Sequence, residues 1–210
     1  WFFRRNSIHG PIMNDVMNTI SSEKPIAMSW IYTQEKNQIL DAVYHLSHSK
    51  NVEDFRKSIK LVHAPGLNIM YGDAKNNISW TASGKLYKLD KSINPNFILN
   101  GSNGIDDQKE FLPFAKNPSA LNPSWNYLYS ANNQPEAIDG YLYPGYYLPK
   151  DRAERIDNLL LPKNNWTKTD VEKMIIDNTS SRSSFVVSTI LPNIELKNKS
   201  KNFETAYAIL

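Results

Sequence analysis

Residues 66–89, GLNIMYGDAKNNISWTASGKLYKL, decide the fold class. The run GLNIMYGD leads into Ala74-Lys75-Asn76-Asn77, and ISWTASGKLY returns from it. Asn and Asp tolerate the left-handed geometry that closes a tight turn, so the stretch predicts an antiparallel β-hairpin. With the helices read on either side of the hairpin, the expected fold class is α+β.

Working outward, residues 1–13 read as a strand followed by a turn at His9-Gly10-Pro11, and residues 25–32 are a second apolar run. Residues 37–47 carry Ile39, Leu40, Val43, Tyr44 and Leu46, which suits one face of a helix. Asn51 precedes Val52-Glu53-Asp54 as an N-cap, with acids in the first turn of a helix reaching about Val62. Residues 90–126 are rich in Asn, Pro, Gly and Ser and read as a long irregular stretch. Residues 127–130 read as a short strand and residues 150–161 as a helix. Residues 167–178 read as another, with Thr167 and Asp170 in capping positions. The last helix starts near Asn202.

The totals exclude several functions. The chain has 210 residues, enough to bury a real core, and 40% are hydrophobic. Its net charge is +3 with the signs interspersed, which argues against a nucleic-acid partner. With no cysteine there is no disulfide, thiolate nucleophile or Cys-ligated zinc. No run of about 18 apolar residues is present to span a membrane. The first residues, WFFRRNSIHGPI, lack an initiator Met and a signal-peptide core, and FETAYAIL ends the chain inside a helical pattern. The expectation is an internal fragment or processed chain.

Candidate chemistry concentrates in residues 129–156, YSANNQPEAIDGYLYPGYYLPKDRAERI. Asn132 and Asn133 form a polar turn, and an amide donor directed at a reacting carbonyl stabilises an oxyanion. By residue type alone the pair is a turn former. Arg152 and Arg155 suit substrate-carboxylate binding or site orientation, against the plainer reading of surface arginines. His45 and His48, three apart on a helix, lack the further ligands a metal needs. His9 reads as holding a turn, His63 as a loop residue and Asp73 as capping its own turn. No Walker loop, GxSxG elbow or GxGxxG is present.

Five segments, in order, resemble the penicillin acylase family of N-terminal-nucleophile amidases. They are FFRRNSIHGPI; PIAMSWIY with the following helices and NVEDFRKSI; GLNIMYGDAKNNISWTASGKL; FLPFAKNPSALNPSWNYLYSANNQP; and YYLPKDRAERIDNLL. The family's Tyr-Ala-Asp, turn, Gly-Asn-Ile pattern is matched by Tyr71-Gly72-Asp73 and Asn76-Asn77-Ile78. Its Asn-Pro, strand and Asn-Asn-x-Pro turn are matched by Asn122-Pro123, residues 127–130 and Asn132-Asn133-Gln134-Pro135. The resemblance covers nearly the whole chain. It implies that residues 1–210 are the central portion of the large chain, incomplete at both ends and part of an αββα sandwich. It implies a self-processed amidase whose N-terminal Ser nucleophile lies upstream, so the fragment alone is inactive. Asn132 would be the side-chain oxyanion donor and Arg155 a site arginine near the serine's amine. The substrate would be a small N-acyl amide, the partners the small chain and the rest of the large chain, and the location periplasmic or secreted in a bacterium. No cofactor is required for the chemistry. A structural calcium would take Pro95 as a carbonyl ligand. Where the family has an acidic ligand, Tyr143-Pro144 stand here, with Asp139 a few residues early. The rival reading is a non-catalytic module presenting the aromatic segment 125–147 to carbohydrate or peptide.

Overall fold

The computed structural model describes residues 4–90, 92–108, 110–138, 140–194 and 200–209. The chain divides into two compact units. One comprises Trp1–Leu128 and Pro135–Tyr146, the other Tyr129–Gln134 and Tyr147–Leu210.

The larger unit begins with a small hairpin of β1 (Asn6–Ser7) and β2 (Gly10–Pro11), paired antiparallel. The turn therefore falls at Ile8-His9, one step earlier than the sequence suggests, and Gly10-Pro11 form the return strand. Gly10 adopts φ +122°, and a Cβ there would sit 2.2 Å from the Met28 carbonyl oxygen, so the position needs glycine. Arg5 and Asp15 clamp this hairpin through a bidentate pair. The apolar run 25–32 contributes one bridge, Ala27 to Ile12, before α1 (Ile31–Gln34).

Helix α2 (Ile39–Ser47) forms where expected, but its buried face differs. Ala42 is fully buried, whereas Leu40 is 82% exposed and Val43 and Tyr44 also face outward. Helical period alone does not say which of two apolar arcs meets a neighbour. Helix α3 (Val52–Ile59) is capped by Asn51, whose Oδ1 accepts from Asp54 N at 2.9 Å. Such a cap contributes about 1 kcal/mol. The cap fixes the helix start so that Val52, Phe55 and Ile59 fall on one buried face. The Phe55 ring lies 4.9 Å from the Tyr71 ring, joining α3 to the sheet.

That sheet has three strands in the order β3 (Leu67–Gly72), β4 (Ile78–Ser83), β5 (Ser119–Leu121), all antiparallel. The expected hairpin is present in the register Gly72↔Ile78 through Leu67↔Ser83. Strand β5 lies inside the stretch 90–126 that reads as irregular. Two side chains far from the hairpin in sequence hold it there. Asn117 donates to the carbonyls of Ala82 and Gly84, both at 2.9 Å. Asn122 accepts from Ile78 N at 2.9 Å and donates to Asn77 Oδ1 at 3.0 Å. Residues 127–130, expected as a strand, form none.

The smaller unit holds α4 (Asp151–Leu160), α5 (Lys168–Ile175), α6 (Ser183–Ile190) and α7 (Lys201–Ile209). Thr167 and Asp170 make the reciprocal capping box at the start of α5, and Lys163 pairs with Asp170. Helix α6 has no counterpart in the sequence reading, because SSFVVSTI is β-branched and reads poorly as a helix. The Ser188 and Thr189 hydroxyls fold back on the helix, donating to the Phe185 carbonyl. Helices and antiparallel strands in separate stretches make the chain α+β, as expected.

Candidate active site

The Asn132 turn and both candidate arginines lie in the smaller unit. Ala131 is fully buried and anchors the turn. Asn132 follows in the left-handed region at φ +59°, a conformation Asn tolerates better than most residues. Its carbonyl accepts from Leu148 N at 2.8 Å. Tyr129 Oη donates to Asp157 Oδ2 on α4 at 2.9 Å. The turn is thus tied both to the approach to α4 and to the helix itself.

The two adjacent amides are used differently. Asn133 Nδ2 contacts the Gln134 carbonyl at 3.4 Å, within the turn. Asn132 is exposed, and its Oδ1 accepts from Arg152 Nη2 at 3.4 Å. Among the described residues, Asn132 Nδ2 donates to nothing. An amide whose oxygen is held by a cation and whose NH₂ is unspent is a ready donor for an external oxyanion.

Arg155, one turn further along α4, is committed elsewhere. Its Nε and Nη2 bind Asp177 Oδ1 and Oδ2 at 3.0 and 2.6 Å. Bonding and charge from Asp177 raise the Arg155 pKa, and bonding from Arg155 lowers that of Asp177. Asp177 also accepts from Thr179 N at 3.1 Å. Arg152, Arg155, Ile156, Leu159, Met174 and Asp177 line a cavity of about 400 Å³. The structure brings Arg152 to Asn132 and places Arg155 in an ion pair. Nothing in the sequence marks Asp177, 22 residues from Arg155, as its partner.

Pro95 lies in the larger unit, in a turn where Asn94 Oδ1 accepts from Asn96 N at 3.1 Å. Asp139 is outside the described residues. Among those described, no three carboxylates or imidazoles converge as a metal site, at Pro95 or elsewhere. His48 Nδ1 is taken by the Tyr44 carbonyl at 2.8 Å. His63 Nδ1 lies 3.0 Å from the Lys36 carbonyl. His9, expected to hold its own turn, instead reaches a distant loop, its Nε2 lying 2.9 Å from the Gly101 carbonyl and its Nδ1 3.5 Å from Asp107 Oδ1. No described helix is long and apolar enough to cross a membrane. In the aromatic segment, Trp125 and Tyr146 are exposed.

The chain is 27% identical over 183 residues to the acyl-homoserine lactone acylase QuiP of Pseudomonas aeruginosa, a match covering 82% of this chain and 21% of that protein. It therefore spans about a fifth of that relative's length. A thermostable penicillin G acylase from Alcaligenes faecalis, solved in an orthorhombic form, superposes with a TM-score of 0.66. The overlay covers 93% of this chain and 35% of the acylase chain, at 16% identity. That likeness establishes the fold, an α+β arrangement shared with that acylase. The penicillin amidase family model matches residues 3–210, and the chain belongs to that family.

Proposed function

We propose that this chain is the central part of an amidohydrolase that cleaves linear N-acyl amides, in the manner of penicillin or acyl-homoserine lactone acylases. The carrying observation is Asn132, whose amide oxygen is held at 3.4 Å by Arg152 while its NH₂ is unspent among the described residues. In this reading the nucleophile is an N-terminal serine upstream of the chain, exposed by self-cleavage. The serine hydroxyl attacks the amide carbonyl while the serine's own α-amine takes the proton, directly or through water. An α-amine titrates near pH 8, so about a tenth is neutral and able to accept the proton at pH 7. Asn132 Nδ2–H donates to the tetrahedral oxyanion as charge develops there, with a backbone N–H supplying a second bond. Collapse of that intermediate returns the proton to the leaving amine, and water then releases the acyl group.

Arg152 has two roles here. It orients the Asn132 amide, and its charge disfavours protonation of a nearby amine, which lowers that amine's pKa. Arg155, neutralised by Asp177, packs α4 against the segment after α5 rather than supplying net charge. The small chain and the rest of the large chain supply the serine and the acyl pocket. The complete protein is placed in the periplasm or outside the cell.

The test is expression of the complete gene, with intact mass, N-terminal sequencing and an amide-hydrolysis assay across acyl donors. A processed chain beginning with serine, and activity lost on replacing Asn132, support the reading. An unprocessed protein with no hydrolysis overturns it.

A further inference from the structure

We propose that Asn100 is a site of succinimide-mediated deamidation, and that isoaspartate formed there breaks the contact between the Gly101 carbonyl and His9. This inference is independent of the catalytic reading. The loop contains two Asn-Gly steps, Asn100-Gly101 and Asn103-Gly104. Glycine leaves the backbone nitrogen that follows unshielded by any side chain. Asn100, Gly101 and Ser102 are all exposed.

Local geometry distinguishes the first step. Asn100 Oδ1 accepts from Ser102 N at 3.0 Å and from Ser102 Oγ at 2.7 Å. This Asx turn folds the carboxamide over the Gly101 peptide. The Ser102 hydroxyl polarises the amide carbonyl and donates to the oxygen that becomes negative on attack. Among the described residues the Gly101 N–H makes no hydrogen bond, so solvent base can reach it. Among the described residues, Asn103 Oδ1 accepts from Ile105 N alone, at 3.1 Å, and has no hydroxyl donor.

Gly101 N attacks Asn100 Cγ and loses its proton to base. The amide nitrogen takes up a proton and leaves as ammonia, closing the succinimide. Water opens the ring at either carbonyl, giving aspartate or isoaspartate; no oxidant or other reactant is needed. Isoaspartate inserts a methylene into the backbone at residue 100, one residue before the Gly101 carbonyl that sits 2.9 Å from His9 Nε2. The new carboxylate also arises beside Asp106, whose Oδ2 accepts from Asn100 N at 2.9 Å. Both changes pull the Gly101 carbonyl away from His9 Nε2 and leave His9 Nδ1, 3.5 Å from Asp107 Oδ1, as the contact between hairpin and loop.

The full-length polypeptide, held at body temperature and mildly alkaline pH with an acidic control, should accumulate isoaspartate at position 100 severalfold faster than at 103. Peptide mapping with enzymatic isoaspartyl methylation reads this. Ser102→Ala should slow conversion at 100 severalfold and leave 103 unchanged, while Ser102→Thr keeps the rate. The His9 imidazole resonances should shift with conversion in the wild type and stay fixed in Asn100→Gln. Equal rates at the two sites, a Ser102→Ala rate equal to wild type, or no isoaspartate at 100 overturns the proposal.

Discussion

Two left-handed asparagines, Asn122 in the larger unit and Asn132 in the smaller, have similar backbones and opposite uses. Asn122 sits at φ +45° and Asn132 at φ +59°. Asn122 spends both ends of its amide on the protein, accepting from Ile78 N and donating to Asn77. Among the described residues, Asn132 spends only its oxygen, on Arg152. The neighbouring Asp73 turn is equally self-contained, since its carboxylate accepts from Tyr71 Oη, Lys75 N, Asn77 N and Asn77 Nδ2. An Asn in a turn is thus a structural tie or a candidate donor according to whether its NH₂ is consumed, and residue type does not tell them apart.

The sharpest way to break this contrast is Asn132→Gly, which removes the amide while glycine accepts the positive φ without strain. Turnover of the processed full-length enzyme should fall about 10²–10³-fold, the loss typical of one oxyanion donor. Its thermal midpoint should hold. A stability loss with turnover intact would make Asn132 a tie like Asn122. The reciprocal change, Asn122→Ala, should cost about 1–2 kcal/mol through forced left-handed backbone alone. Urea unfolding reads that loss, and turnover of the folded fraction should be unchanged.

The arginines divide the same way. Arg152→Met should lower turnover about tenfold, the kinetic equivalent of about 1.4 kcal/mol and the low end for a charged hydrogen bond at long range. Arg155→Met should instead lower the melting temperature, by stranding Asp177, and leave turnover of the folded enzyme intact. If Arg155→Met suppresses turnover more than Arg152→Met, the assignment reverses.

What was legible in the sequence follows from range. The hairpin 67–83, the Asn51 cap and the Thr167–Asp170 box are set by residues within a few positions of one another, and each is present. Strand β5 was not legible, because Asn117 and Asn122 reach back 35 and 44 residues to place it. Arg152 and Arg155 share one helical face at i and i+3, so spacing cannot choose between them. Only the Asp177 partner and the Asn132 contact do so. Asn132 itself was picked out by family resemblance, since its own turn chemistry predicts a plain structural Asn.

Acid provides the gentlest probe of the self-contained turn. Hydrogen bonds from the Asn77 side chain first, then from Asn77 N, Tyr71 and Lys75, lower the Asp73 pKa from 3.8 to about 2. Because the folded value is depressed, this contribution is fully present above 3.8 and is lost as pH falls through about 2. Amide exchange of β3 and β4, followed downward across that window and corrected for intrinsic rates, should show protection falling in the wild type. In Asp73→Asn the neutral side chain has no charge to lose, so protection should start lower and change less over the same interval. Parallel acid dependence in the two proteins would mean that Asp73 is solvated rather than bonded in its turn. The hairpin would then owe its register to strand pairing and to the Asn77–Asn122 tie alone.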